Sequence, residues 1–194
     1  MTPAEIADHI IELYVKFGDA DYIGEPVSQI EHMCQCAQLA ENAGADEEMI
    51  LAAFFHDIGH LYEHIAQEKT EHLDVFGTVN HETLGADYLR KLGFGERMAK
   101  LVASHVDAKR YLVATLPAYK QKLSEASIQT LIMQGGPMDQ KEIANFEADP
   151  LHKEYIQLRY WDEQAKETEI PLPNLQLYRK MIIHQLEMKN NVTN

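Results

Sequence analysis

The chain places a histidine and an aspartate side by side at the end of its most apolar stretch. Met49-Ile50-Leu51-Ala52-Ala53-Phe54-Phe55 runs into His56-Asp57-Ile58-Gly59-His60. A run that is apolar all round belongs in a core. An unpaired carboxylate there is costly, so Asp57 needs a partner. A metal cation is a suitable one, since neutral imidazole beside carboxylate is what such a cation takes as ligands. Ala52 and Ala53, one turn back, leave room next to the pair. Gly59 is expected to release the chain from the helix, as a C-terminal glycine does. A lone His-Asp pair has a plainer explanation, a helix cap and an arginine partner. The rest of the chain points to metal. His32, His56, His81 and His105 are spaced 24, 25 and 24 residues apart, and Asp162 follows within Tyr160-Trp161-Asp162-Glu163.

One divalent ion is well held by His32, His56, Asp57 and Asp162. His81 and His105 then remain, and if they bind a second ion Asp57 must bridge the two. A nitrogen and oxygen set without thiolate suits iron or another first-row metal in an open, near-octahedral site, and residue type alone leaves zinc open. His9, His64, His72, His152 and His184 are read as core or surface residues.

The elements that position these side chains are helical throughout. Ile6, Ile10, Leu13 and Phe17 fall at helical spacing behind a Thr2-Pro3 start. A Gly- and Pro-containing loop, Asp21-Tyr22-Ile23-Gly24-Glu25-Pro26, leads to a capping box formed by Ser28 and Glu31. The helix it opens carries Ile30, Met33, Cys34 and Ala37 on its stripe, with His32 beside them. Residues 42–46 turn into the central apolar helix. Residues 61–79 are polar and poorly periodic and read as a long loop near the site. A helix then runs from about Asn80 to Gly93. Met98, Leu101, Val102 and His105 lie at i, i+3, i+4 and i+7, which puts His105 on a buried stripe, with Lys109 one turn on. Gln134-Gly135-Gly136-Pro137-Met138 is a loop, Arg159 and Asp162 share a face of a helix from about Leu151, and Leu175 to Leu186 mark a last helix. No strand signal is present. The expectation is an all-α fold, a single compact bundle over residues 1–194.

At 194 residues and 45% hydrophobic content the chain can bury a sizeable core. Its net charge of -14 argues against nucleic-acid binding, which relies on a positive field. An anion site must therefore be built locally from Lys, Arg, His or backbone N–H groups. Cys34 and Cys36 sit i, i+2, face different directions and read as buried free thiols, the default in the cytoplasm. Met1-Thr2-Pro3-Ala4-Glu5 shows no signal-peptide pattern, and no stretch reaches the roughly 18 apolar residues of a membrane span. Neither a membrane nor a nucleic acid is expected as a partner.

The order His32, His56-Asp57, Asp162 resembles the HD-domain metalloproteins, and His81 with His105 narrows it to members with two metals. Further segments are similar to the carbon–phosphorus-bond-cleaving diiron oxygenases: Asp21 to Glu25, Gly85 to Arg90, His105 to Val113, Gln134 to Met138, and Trp161-Asp162-Glu163. The resemblance runs from about Asp21 to Lys180, and 61–79 departs from the family by being slightly longer. It implies two iron ions as a mixed-valent Fe(II)/Fe(III) pair, one held by His32, His56, Asp57 and Asp162 and the other by Asp57, His81 and His105. It implies a small organophosphonate chelated at the first iron, dioxygen at the second, and phosphate with a carboxylate as products, all four electrons coming from the substrate. Lys109, Arg159, His60, Ser127 and Gln134 match its phosphonate-contacting positions. A lid over about 19–28 carries Tyr22, which can occupy an iron position without substrate, and Glu25, which meets a cationic nitrogen. Tyr22, Glu25, His60 and Lys109 are the expected catalytic side chains.

The resemblance implies as substrate a 1-hydroxyphosphonate with a cationic nitrogen on the next carbon. Glu25 and Tyr22, with Tyr62 and Phe76 able to widen the pocket, favour the trimethylammonio compound, which gives glycine betaine, over the primary amine, which gives glycine. The alternatives are an HD phosphohydrolase using the metals to activate water, a cyclitol-cleaving mixed-valent oxygenase, and a signalling module without activity. The intact ligand set speaks against the last.

Overall fold

The computed structural model describes residues 1–22, 24–65, 72–73, 77–78 and 80–192. Helix α1 (Pro3–Phe17) starts from a capping box between Thr2 and Glu5, and α2 (Gln29–Asn42) from one between Ser28 and Glu31. Each satisfies two N-terminal N–H groups that the helix itself leaves unpaired. Helix α3 (Glu47–Phe55) is capped by Asp46 and is buried from Met49 to Phe55, as a run apolar on every side requires. It sits at the centre, packed on α2, on α6 (Glu96–Ala103), on α11 (His152–Gln164) and on α12 (Gln176–Val192). Between them lie α4 (Ile58–Tyr62), α5 (His81–Leu92), α7 (His105–Thr115), α8 (Pro117–Lys120), α9 (Glu125–Met133) and α10 (Gln140–Ala148). The all-α expectation holds. A second, smaller core of Leu112, Val113, Tyr119, Leu123 and Leu131 ties α7, α8 and α9 together.

Four local expectations are corrected. Gly59 does not end a helix. It lies inside α4, where a Cβ would meet the His81 carbonyl oxygen at 2.0 Å and the Gly85 nitrogen at 3.1 Å. Its missing side chain allows two helices to touch backbone to backbone. The periodicity through Met98 and His105 does not belong to one helix: the chain breaks at Ser104, and His105 opens α7. Residues 61–79 are not wholly loop, because α4 runs through Tyr62, and β1 (His72–Leu73) pairs antiparallel with β2 (Gly77–Thr78). Helices α8 to α10 were not anticipated. Phe76 and the side chain of His72 lie outside the described residues. Gly93, in the left-handed region at φ 97°, stops α5 as expected.

The loop over residues 19–28 is pinned at its base by an Asp21–Ser28 bridge and by Tyr22 N–H donating to the Val27 carbonyl at 3.0 Å. Its tip reaches α9, where a Cβ on Gly24 would meet Ala126 Cβ at 2.6 Å.

Candidate metal centre

Helix ends build the centre. The last carbonyls of a helix lack intrahelical partners, and three of the histidines donate to such carbonyls through Nδ1–H. His56 donates to Ala53 and His105 to Val102, at 2.8 and 2.7 Å, near the ends of α3 and α6. His32 donates across the fold to Ala165, the C-cap of α11, at 2.8 Å. A ring that donates from Nδ1 presents the Nε2 lone pair inward when neutral.

Those nitrogens gather around Asp57, in the break between α3 and α4. His32 and His56 have their Nε2 atoms 2.9 Å apart, and Asp57 Oδ2 lies 3.6 and 3.4 Å from them. Asp162 Oδ1 lies 3.4 Å from His32 and 3.9 Å from His56. On the other side, His81 and His105 have their Nε2 atoms 3.0 Å apart, and Asp57 Oδ1 is 3.1 and 3.4 Å from them. Each oxygen of one carboxylate thus faces its own histidine pair. The His81 Nδ1 faces a carboxylate instead of a carbonyl, 3.6 Å from Glu82 Oε2.

This donor set fits metal ions. Two lone-pair nitrogens this close repel one another unless a cation lies between them. Two donors about 2.1 Å from one ion at a right angle stand about 3 Å apart. Asp162 Oδ1 is buried without a hydrogen-bond partner among the described residues, while Oδ2 accepts from Arg159 at 2.5 Å. Burial alone would raise both carboxyls. Arg159 holds Asp162 well below the usual carboxylate range, and positive charge at His56, the place a bound cation would take, holds Asp57 there as well. Two ionised carboxylates in a buried site call for positive charge.

Of the other sequence-marked residues, Tyr22, His60 and Arg159 touch the centre, and the rest lie beyond them. The Tyr22 ring stacks on His32 with centroids 3.9 Å apart. Burial, then the charge of Asp57, pushes its phenol well up and keeps it protonated. His60 stacks on His81 at 4.1 Å, and its ring offers a nitrogen within 4.8 Å of the Asp57 and His81 donors. Arg159 is buried and holds Asp162, Glu163 and the Tyr119 hydroxyl. Lys109, 4% exposed, donates to Thr130 Oγ1 at 2.9 Å. Burial, then the neighbouring Arg159 charge, brings its ammonium down to about 7. Ser127, Thr130 and Gln134 follow at i, i+3 and i+7 along α9, so Ser127 and Gln134 share the face that meets Lys109. Glu25 accepts from Ser124 Oγ at 2.6 Å and from Lys166 Nζ at 2.9 Å.

The Tyr62 ring stacks on Tyr88 at 4.1 Å. The remaining described histidines have structural partners: His9 against Tyr88, His64 on Phe17, His152 with the Asp149 carbonyl and His184 with Glu47. Cys34 and Cys36 are buried free thiols. Sequence reasoning missed Glu82, Tyr119, Ser124, Thr130, Glu163 and Lys166. Of these, Glu163 and Lys166 carried a readable signal, an opposite-charge pair at i, i+3 beside Asp162.

Residues 30–172 match the HD domain family. The chain is 46% identical over 184 residues to an uncharacterised protein of Acanthamoeba polyphaga mimivirus, covering 94% of this chain and 83% of that one. It is 41% identical over 177 residues to the 1-hydroxy-2-(trimethylamino)ethylphosphonate dioxygenase (glycine-betaine-forming) of Leisingera caerulea, covering 91% and 88%. It is 38% identical over 186 residues to the hydroxymethylphosphonate dioxygenase of Gimesia maris, covering 96% and 90%. With four inward histidines on two aspartates and an all-helical frame, the chain belongs to the HD-domain family. Within that family it groups with the phosphonate dioxygenases, and it is an enzyme of that dioxygenase class. No helix among the described residues is long and apolar enough to cross a membrane.

Proposed function

We propose that this enzyme uses dioxygen to cleave the carbon–phosphorus bond of a 1-hydroxyphosphonate, with two iron ions, Fe(II) and Fe(III), as cofactor. The observation that carries the proposal is the split of Asp57, one oxygen toward His32 and His56 and the other toward His81 and His105. The first ion would take His32, His56, Asp57 and Asp162, and the second Asp57, His81 and His105. When bound, the pair supplies dioxygen activation and a chelation point for the substrate's hydroxyl and phosphonate oxygens. The reaction balances as hydroxyphosphonate dianion plus dioxygen giving carboxylate, hydrogen phosphate and one proton.

The chain's own residues bind and orient. Arg159 and Lys109 are the buried cations beside the centre, and they would hold the phosphonate in a protein whose net charge of -14 repels anions at long range. Ser127 and Gln134 would add neutral donors from α9, and His60 would contact the phosphonate from the side of the second ion. Tyr22 over His32 would keep water from the first ion until substrate displaces it. Glu25 would meet a cationic arm. Residues 1–194 would act as one catalytic domain in the cytoplasm, on a small molecule.

The substrate we favour is (1R)-1-hydroxy-2-(trimethylammonio)ethylphosphonate, giving glycine betaine and phosphate, ahead of the primary amine, which gives glycine. The 41% identical relative is named for that substrate, and Glu25 with Tyr22 offers a carboxylate and an aromatic face. One observation favours a second substrate, hydroxymethylphosphonate: Glu25 already holds a cation, Lys166. Phosphate release from the three phosphonates, with and without dioxygen, tests the proposal. Release that needs dioxygen, fastest with the trimethylammonio compound, is expected. Equal release under argon would instead establish a hydrolase.

A further inference from the structure

We infer that Lys166 is a specificity-determining residue, an internal cation that competes with the cationic arm of a substrate for Glu25. The inference rests on the carbon–phosphorus reading above. It starts from the two relatives whose named substrates differ in their arm, one carrying a trimethylamino group and the other none. A chain similar to both needs a feature that decides how an arm is received.

The lid supplies the carboxylate. Asp19 and Asp21 are exposed, whereas the Glu25 side chain is 8% exposed and turned inward. Glu25 Oε1 is taken by the Ser124 hydroxyl at 2.6 Å and by Lys166 Nζ at 2.9 Å. Lys166 also reaches Glu163 Oε1 at 3.1 Å, Glu163 pairs with Arg159, and Arg159 pairs with Asp162 of the first cluster. A continuous ladder of charge therefore runs from the lid to the centre: Glu25, Lys166, Glu163, Arg159, Asp162. Two cations are spread over three carboxylates, and Asp162 has one oxygen left for metal. Within the ladder Glu25 already shares a cation with Glu163.

A quaternary ammonium brought to Glu25 meets Lys166 at the same carboxylate, and like charges that close, between side chains largely withdrawn from solvent, repel. It can settle only by displacing Lys166 toward Glu163. An uncharged arm, or none, leaves the Lys166–Glu25 pair standing. Lys166 thus sets the penalty on cationic arms without touching the reacting atoms.

The test is the ratio of kcat/KM for the trimethylammonio substrate to that for hydroxymethylphosphonate, in wild type, Lys166→Met and Lys166→Arg. Equilibrium binding of both phosphonates under argon is measured alongside. The ratio and the relative affinity should rise at least tenfold in Lys166→Met and stay near wild type in Lys166→Arg, with Lys166→Gln taking the place of Lys166→Met if that variant does not fold. An unchanged ratio, or an equal loss with both compounds, would overturn the inference. If wild type releases no phosphate from either compound, the reaction proposed above fails, and the binding ratio still decides Lys166. Binding of neither phosphonate to any of the proteins overturns both.

Discussion

The two halves of the centre share one carboxylate and differ in almost everything else. Around His32 and His56, four side chains offer donors, both imidazoles are fixed by carbonyls at helix C-terminal ends, and Tyr22 covers one ring. Around His81 and His105, the set proposed above has three side chains, with the His60 ring stacked on His81 outside that set, and only one imidazole is fixed in that way. His81 is the first residue of α5, where free N–H groups gather, and its Nδ1 has the Glu82 carboxylate for a neighbour. The first half is closed and the second is left short of donors. A site short of donors has room for a reactant, while a closed one holds its ion in place. The same side-chain type is therefore held in two ways, against a carbonyl at a helix end for His32, His56 and His105 and beside a carboxylate for His81.

The largest expected effect comes from removing what the halves share. Asp57→Ala should abolish binding of both ions, read as metal content of the purified protein, and retention of one ion would show that Asp57 serves a single half. His81→Ala should lower the content from two ions to one and leave the fold intact by circular dichroism. Loss of both would mean that the halves do not bind independently. Glu82→Gln keeps the shape and removes the charge next to His81. It should weaken the second ion about tenfold, in line with outer-shell partners of metal-bound histidines, and leave the first untouched. Equal weakening at both positions would assign Glu82 a general structural role. Tyr22→Phe should speed loss of the mixed-valent state in air without substrate by a few-fold, followed by electron paramagnetic resonance; identical decay in both proteins would remove the covering role.

The smallest effect is a proton. Lys109 loses its charge in the ligand-free site as the pH rises through about 7. A phosphonate dianion beside it restores the ammonium, so binding at pH 8 should take up protons. Calorimetry in two buffers of different ionisation heat measures this, and Lys109→Met should show none. The stability linkage has the matching sign. From about pH 7 to about 10.4 the unfolded chain carries a proton that the folded one lacks, so this group's contribution to stability grows with pH across that window.

His56, Asp57 and His105 stood out because each breaks a pattern, a histidine or aspartate on a buried stretch being a local contradiction that a partner resolves, while His32, His81 and Asp162 stood out by their spacing and order in the chain. Their partners were not legible in the same way. Lys109 meets Thr130 and Arg159 meets Tyr119 across 21 and 40 residues of chain, distances that packing alone decides. The break at Ser104 was hidden because the apolar spacing runs straight through it. Gly59 was misread because a glycine after an apolar run looks the same whether it ends a helix or lets one approach another. Helices α8 to α10 are short, and α9 buries only Ser127 and Leu131, so their periodicity had little length in which to show.

Gly59 has one more consequence. Because the Gly59 backbone of α4 lies directly against the backbone of α5 at His81 and Gly85, the offset between Asp57 and His81 is set there by peptide geometry. Substitutions elsewhere can exchange one donor for another and leave the gauge between the two histidine pairs as it was. A single methyl group at position 59 would push His81 off Asp57. The spacing of the two donor clusters is therefore written in a residue that belongs to neither of them.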